Sequence, residues 1–333
     1  MQYVALPGTG QDLSAACLGT MTFGGQVDAA AARELVRYAL DSGVNFIDTA
    51  NIYNDTASET MLGAILAGVP RSTYVLASKV GAPYAKAPRS LGLSRSYILR
   101  ELEGSLRRLK TDYLDIYYMH ISDPDTDIDE TMATMDSLVS AGKVRYIGVS
   151  NHAAWQVAER ILLAKAKGLA RPVVSQVVYN LLTRGIEDEF LPFARRYGMA
   201  VTVYNPLAGG LLSGKHQKAK MLANTRFALN ESYRDRYWSE ANFQAVQRFE
   251  AVAHEAGMTL TELALRFLLS RDAIHSLIVG ATRLAQLTEN IAAIESGPLP
   301  PDVLGEVDGI YREMFARFSY CDRDAHLEPG SKG

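Results

Sequence analysis

The sequence predicts a closed (β/α)8 barrel, and three observations carry the prediction. Short apolar runs alternate with amphipathic helical stretches eight times along 333 residues. The runs are continuous rather than interleaved with polar residues, as in strands covered on both faces, which points to a parallel sheet. Glycine follows many of the helical stretches, where a helix end favours it. Eight such units at this length fit a closed barrel better than an open doubly wound sheet.

In chain order, the first dozen residues predict a small hairpin that turns at Pro7-Gly8-Thr9-Gly10 and covers the barrel floor. Strands are expected at 15–18, 45–48, 74–79, 114–120, 146–150, 173–178, 199–204 and 276–279. Helices are expected at 29–41, 58–66, 94–109, 129–141, 153–167, 188–197, 242–255, 261–270 and 284–294. In the first helix Leu35, Val36, Ala39 and Leu40 share a face, and Gly43 stops it. In the third, Ile98, Leu99, Leu102, Leu106 and Leu109 recur at helical spacing behind Ser94, read as the N-cap. Asp129 is read as capping the next helix. Residues 205–240 are too long for a bare connector and read as a functional covering loop. After Pro301 a short helix and a polar end complete the chain. No interior linker is rich in Pro, Gly or Ser, so residues 1–333 read as one domain.

The chain is 48% hydrophobic and 21% charged, with a net charge of −3, so nothing points to nucleic acid or an anionic membrane. Cys17 and Cys321 lie near opposite ends and supply neither a disulfide framework nor a metal cluster. No run approaches a membrane span, and the first residues lack a secretory pattern. The expected location is therefore cytoplasmic.

Four look-alike motifs fail at one or two positions each. Gly209-Gly210-Leu211-Leu212-Ser213-Gly214-Lys215 fits most of a P-loop, but His216 stands where Ser or Thr would hold magnesium. Gly148-Val149-Ser150-Asn151-His152 lacks the final glycine of a nucleophile elbow. The Asp-rich stretch from Asp123 has Ile128 and Thr134 where a calcium loop needs Gly and Glu. Gly8-Thr9-Gly10 has Leu13 in place of a third glycine, so a nicotinamide cofactor would not bind in the Rossmann manner.

Four polar residues follow successive strands: Asp48 and Tyr53, Lys79, and His120. In a barrel of this kind the carboxyl ends of the strands share one mouth, where chemistry occurs. Taken singly, each has an ordinary alternative: a helix cap, a packed ring, a rim lysine, a core histidine. Jointly they differ, because a buried lysine and aspartate must pair. Tyrosine titrates near pH ~10, too weak an acid for fast proton transfer at neutrality. A neighbouring ammonium is expected to lower that value, a shift of about two units corresponding to roughly 2.7 kcal/mol. Asp48 would aim Lys79, and His120 would orient a carbonyl. The set offers a proton donor without a nucleophile or a metal, so a carbonyl would need hydride from a cofactor.

These motifs resemble the aldo-keto reductase superfamily. Phe46-Ile47-Asp48-Thr49-Ala50-Asn51-Ile52-Tyr53 with Ser58-Glu59 matches its Asp–Tyr signature, and Lys79 and His120 fall where its Lys and His fall. Gly148-Val149-Ser150-Asn151 and Gln176 match its carboxamide-holding groups, and Tyr204 its ring-stacking aromatic. Tyr204-Asn205-Pro206-Leu207-Ala208-Gly209-Gly210 through Lys215 is similar to the aflatoxin-aldehyde and succinic-semialdehyde reductase branch. So are the stretch from Tyr233 to Trp238 and the late stretch from Glu289 to Leu299. The resemblance implies NADP(H), with NAD(H) the alternative, and reduction of aldehydes, with ketones a second class. It implies a catalytic set of Asp48, Tyr53, Lys79 and His120. It also implies cofactor contacts at Gly19, Thr20, Met21, Asp48, Ser150, Asn151, Gln176, Tyr204, Asn205, Pro206, Leu207, Gly209 and Gly210. The 2′-phosphate falls to Lys215 and Arg226. Gly280, Thr282, Gln286, Glu289 and Asn290 hold the adenosine end. Some members have Lys and Arg where this chain has Gly280 and Gln286, which shifts the phosphate to Lys215, Arg226 and Arg283. For the substrate, Met21, Tyr53 and His120 are the contacts, Phe23, Tyr84 and Trp238 are apolar candidates, and Arg323 aligns with a carboxylate-binding arginine. The branch implies a homodimer. Two other readings stand: an NAD-dependent sugar or alcohol dehydrogenase, and a non-catalytic barrel subunit that senses NADPH.

Overall fold

The computed structural model describes residues 1–85, 92–223 and 225–315. Strands β1 (Tyr3–Leu6) and β2 (Gln11–Ser14) form an antiparallel hairpin. Eight strands then close a parallel barrel: β3 (Ala16–Gly19), β4 (Phe46–Asp48), β5 (Val75–Val80), β6 (Leu114–Met119), β7 (Val144–Ser150), β8 (Pro172–Val178), β9 (Ala200–Tyr204) and β10 (Ile274–Val279). Strand β10 pairs with both β9 and β3, which completes the ring. The (β/α)8 expectation holds.

The helices are α1 (Ala29–Asp41), α2 (Ala57–Leu66), α3 (Arg95–Leu109), α4 (Ile128–Ser140), α5 (Ala154–Lys167) and α6 (Phe190–Tyr197). There follow α7 (Arg226–Leu229), α8 (Glu231–Tyr237), α9 (Glu240–Glu255), α10 (Leu260–Leu269), α11 (Leu284–Glu295) and α12 (Pro301–Phe315). Helix α1 shows why these segments form. Asp28 accepts from the Ala31 N–H at 2.9 Å, and Ala32, Leu35, Val36 and Ala39 are buried on one stripe. Each large apolar side chain so buried is worth about 1.5–3 kcal/mol. Two caps differ from expectation. Ser94 sits at the N-cap of α3, but its hydroxyl has no partner among the described residues, and the first N–H, of Arg95, goes to Glu130 Oε1 at 2.7 Å. Helix α4 is capped by Asp127, which accepts from the Asp129 N–H at 2.7 Å. Asp129 lies inside the first turn and pairs with Lys167.

Inward positions along a strand are two residues apart. Phe46 on β4, Val75 and Ala77 on β5, Ile116 and Tyr118 on β6 and Val174 on β8 build the barrel core. The next inward positions are Asp48, Lys79 and Gln176, so apolar layers give way to a polar one at the carboxyl ends. At Gly148 a Cβ would lie 2.4 Å from the Tyr118 ring, so only glycine lets that ring cross the barrel there. Below, Leu6 and Leu13 of the hairpin join the same core, and the Tyr146 hydroxyl donates to the Thr9 carbonyl at 3.0 Å. The hairpin therefore closes the floor, as expected.

Candidate active site

The polar layer is tied together at Lys79, which is fully buried. Its ammonium donates to Asp48 Oδ1 at 2.5 Å, to the Thr49 carbonyl at 2.8 Å and to the Tyr53 hydroxyl at 2.9 Å. An ammonium has three N–H groups, and all three are used. Tyr53 oxygen therefore accepts from Lys79, and its own O–H is free to point into the cavity. The second carboxylate oxygen of Asp48 accepts from Gln176 Nε2 at 2.9 Å. The His120 ring stands edge-on to Tyr53, with centroids 6.1 Å apart.

Burial pulls the Lys79 amine down, but Asp48 and Tyr53 outweigh it and the net shift is upward. Lys79 thus stays charged. For Tyr53, burial pushes the phenol up, Lys79 pulls it down, and burial wins. This corrects the expected direction: the lysine acts as anticipated, but a buried phenolate is costly enough that the phenol remains protonated. His120 is lowered to about 3, by burial and then by Lys79, so its imidazole is neutral. Its Nδ1 has no partner among the described residues.

The segment carrying Tyr53 is anchored just after it. Ser58 Oγ donates to the Thr20 carbonyl at 2.8 Å, and Asn54 Nδ2 donates to the carbonyls of Met21 and Phe23, each at 2.8 Å. Asn54, Asp55 and Thr56 lie in the left-handed region, with φ of 47°, 54° and 76°. Asn and Asp tolerate this conformation; a β-branched threonine is strained in it.

Tyr53 and His120 open on a cavity of about 1170 Å³ above the strand ends. Its walls gather residues from across the sequence: Gly19 at the end of β3 with Thr20 and Met21 after it, Asp48 at the end of β4, Ser150 at the end of β7 with Asn151 after it, and Gln176 on β8. Tyr204, Asn205, Pro206, Leu207, Gly209, Gly210, Lys215 and Arg226 come from β9 and the 205–240 segment, and Gly280, Thr282, Arg283, Gln286, Glu289 and Asn290 from around α11. Lys79 lies beneath the cavity rather than on its wall. Asn151 is fixed by the Tyr204 hydroxyl, which donates to its Oδ1 at 2.7 Å. Asn205 Oδ1 accepts from the Tyr233 hydroxyl at 3.1 Å, while its buried Nδ2 has no partner among the described residues. Gln286 Oε1 accepts from the Thr282 N–H at 2.9 Å and steadies the entry to α11.

Lys215, Arg226 and Arg283 share the far wall, and none has a carboxylate partner among the described residues. Burial, then Arg283 and Arg226, lowers the Lys215 amine. Three unneutralised cations on one wall favour an anion.

Three substrate candidates are misplaced. Phe23 is fully buried in the core, Tyr84 is tied to Glu101 at 3.0 Å, and Trp238 packs on His216, Phe227 and Phe243; none lines the cavity. Met21 does line it. Arg323 and Cys321 lie outside the described residues. Sequence reasoning missed Gln26, in the turn before α1, and Tyr233 and Arg236, on the short helix α8, all of which line the wall. Among the described residues no group of three His, Cys, Asp or Glu could hold a metal ion, and no helix is long and apolar enough to cross a membrane.

The aldo/keto reductase family model matches residues 15–312. A probable voltage-gated potassium channel subunit beta of Oryza sativa subsp. japonica is 35% identical over 318 residues, covering 93% of this chain and 96% of its own length. Aflatoxin B1 aldehyde reductase member 2 of Rattus norvegicus is 36% identical over 304 residues, 86% of this chain and 82% of its own. An uncharacterized oxidoreductase of Bacillus subtilis is 36% identical over 321 residues, 93% of this chain and 96% of its own.

Proposed function

The chain belongs to the aldo/keto reductase family and is an oxidoreductase, and from that premise we propose that it reduces aldehydes, and ketones as a second class, to alcohols with NADPH. The observation that carries this is the saturated ammonium of Lys79, which leaves the Tyr53 O–H as the one proton it does not hold in place.

The residues present fit the nucleotide. The cavity exceeds the ~300–1,000 Å³ common for drug-sized ligands, which leaves room for a dinucleotide and a small carbonyl together. Ser150, Asn151 and Gln176 offer amide and hydroxyl groups for a carboxamide, Tyr204 a ring face, and the left-handed Gly209 and Gly210 a close backbone approach. Lys215, Arg226 and Arg283 supply the charge a phosphate needs. When bound, NADPH supplies hydride to the carbonyl carbon.

The chain's own residues do the rest. Tyr53 gives its proton to the carbonyl oxygen, and the Lys79 charge steadies the phenolate as it forms. Burial keeps the proton on Tyr53 until then. Asp48 holds Lys79 charged and aimed, and Gln176 holds Asp48. His120, being neutral, can donate an N–H to the carbonyl oxygen without adding a second charge beside Lys79. We further propose that the 205–240 segment covers the nucleotide, that residues 1–333 form one domain, and that the protein acts in the cytoplasm as a homodimer.

The test is Tyr53→Phe. Turnover of a short aldehyde, followed by nucleotide absorbance, should fall by about 10²–10⁴, the range for losing a positioned proton donor. NADPH affinity should stay within about twofold. Near-normal turnover would remove Tyr53 from its role. A second reading, a non-catalytic subunit that senses NADPH, has as its support only that the rice relative is named a probable channel subunit. A panel of short aldehydes separates the two, since a sensor shows no steady-state rate on any of them.

A further inference from the structure

His216 is a buried side chain for which the proposed chemistry has no use. It is 6% exposed, and neither ring nitrogen has a partner among the described residues. Burial, then Lys215, lowers its pKa to about 4, so the ring is neutral and carries one N–H and one bare nitrogen. Both nitrogens forgo the hydrogen bonds that water would give, an arrangement that calls for an explanation. Phe227 and Trp238 pack edge-on to the ring at 5.0 Å and 5.7 Å and fix its direction.

That direction is informative. A Cβ placed on Gly210 would stand 3.7 Å from His216 Nε2 and 3.7 Å from Lys215 Nζ. Gly210 and Lys215 line the cavity, with φ of 102° at the glycine, while His216 lies off the wall directly behind Gly210, its Nε2 facing the position that a Cβ there would take. Arg226 at the start of α7 and Arg283 at the start of α11 face the same wall.

We propose that His216 belongs to the anion seat and, with Lys215, binds a phosphate oxygen of the nucleotide across Gly210. This rests on the cofactor reading above. The shared chemistry is a phosphate oxygen, supplied by either the 2′-phosphate or the pyrophosphate. The unpartnered imidazole is then a site prepared for a ligand, and the glycine is what lets that ligand reach it.

The experiment is calorimetric titration of the full chain with NADPH and with NADH, for wild type, His216→Phe and His216→Gln. Phe keeps the aromatic packing and removes both nitrogens; Gln places an amide N–H near the position of Nε2. Phe should weaken binding about tenfold or more, the loss of a hydrogen bond to a charged group, and Gln should recover most of it. A loss confined to NADPH assigns His216 to the 2′-phosphate, and an equal loss for both assigns it to the pyrophosphate. The nucleotide-free His216→Phe protein should melt no lower than wild type, because two unpartnered polar atoms are gone. A purely structural role predicts the reverse: lower melting and unchanged affinity. In wild type, the ¹⁵N signals of the His216 ring should shift on NADPH addition, a readout that needs no variant. Unmoved signals, or equal affinity in wild type and His216→Phe, overturn the assignment to His216 alone. A wild type that binds neither nucleotide overturns the cofactor reading and this seat with it.

Discussion

Replacing Lys79 with methionine tests the electrostatic centre of the site. The change keeps the length and volume of the side chain and removes three hydrogen bonds at once, to Asp48, Thr49 and Tyr53. Asp48 is 1% exposed and would retain only the Gln176 amide. Breaking a buried pair by removing one partner costs about 3–5 kcal/mol, because the remaining charge has no counterion. Against a total stability of about 5–15 kcal/mol that loss is large. Lys79→Met should therefore lower the urea midpoint, followed by circular dichroism at pH 7, by the equivalent of about 3–5 kcal/mol, with the slope unchanged. Removing the orphaned charge as well, in Lys79→Met with Asp48→Asn, should recover about 2–3 kcal/mol, near the upper end of coupling for contacting residues. Neither variant should turn over an aldehyde, because in both the Tyr53 phenolate has lost its neighbouring cation. A loss under about 1 kcal/mol in the single variant, or a double variant no more stable than the single, would refute the idea of a strongly coupled buried ion pair.

Four further outcomes are expected. Thr56→Gly, at φ 76°, should raise stability by about 1 kcal/mol by relieving left-handed strain, measured as an unfolding midpoint; a drop would show that the threonine side chain earns its place. Arg226→Ala should weaken NADPH binding about tenfold and leave NADH binding nearly unchanged in fluorescence titrations; equal affinities would move the 2′-phosphate elsewhere. His120 is lowered to about 3, and His152 and His216 to about 4, all below the unfolded value near 6.5. Their contribution to stability is complete above pH ~6.5 and is lost as pH falls through that window, so His152→Gln should flatten the acid limb of the stability profile. Lys79 and Tyr53 are raised, so at the other extreme stability should decline only above pH ~10.

What the sequence made legible, and what it did not, divides along physical lines. The eight strands are apolar runs whose burial depends on nearest neighbours, and each falls within about two residues of its expected span. Asp48, Lys79, His120 and Gln176 were legible because inward positions repeat every second residue, so a polar group after an apolar run must surface at the strand end. The caps at Asp127 and beside Glu130 depend on which oxygen reaches which N–H, a matter of ångströms that spacing does not encode. Phe23, Tyr84 and Trp238 sit in loops whose direction is set by distant partners, and apolar character alone did not tell core from wall. The direction of the Tyr53 shift was missed for a related reason: the lysine was visible in the sequence, but the depth of burial that outweighs it emerges only from packing.

The hairpin beneath the barrel has a consequence for traffic. With Leu6 and Leu13 plugging one end, the doorway to the Asp48–Lys79 layer among the described residues is at the other. Two guests that share such a room cannot pass one another. The one that sits deeper has to arrive first and depart last, and a newcomer on top holds it in. Order of entry would then follow from the architecture itself, with no moving latch required.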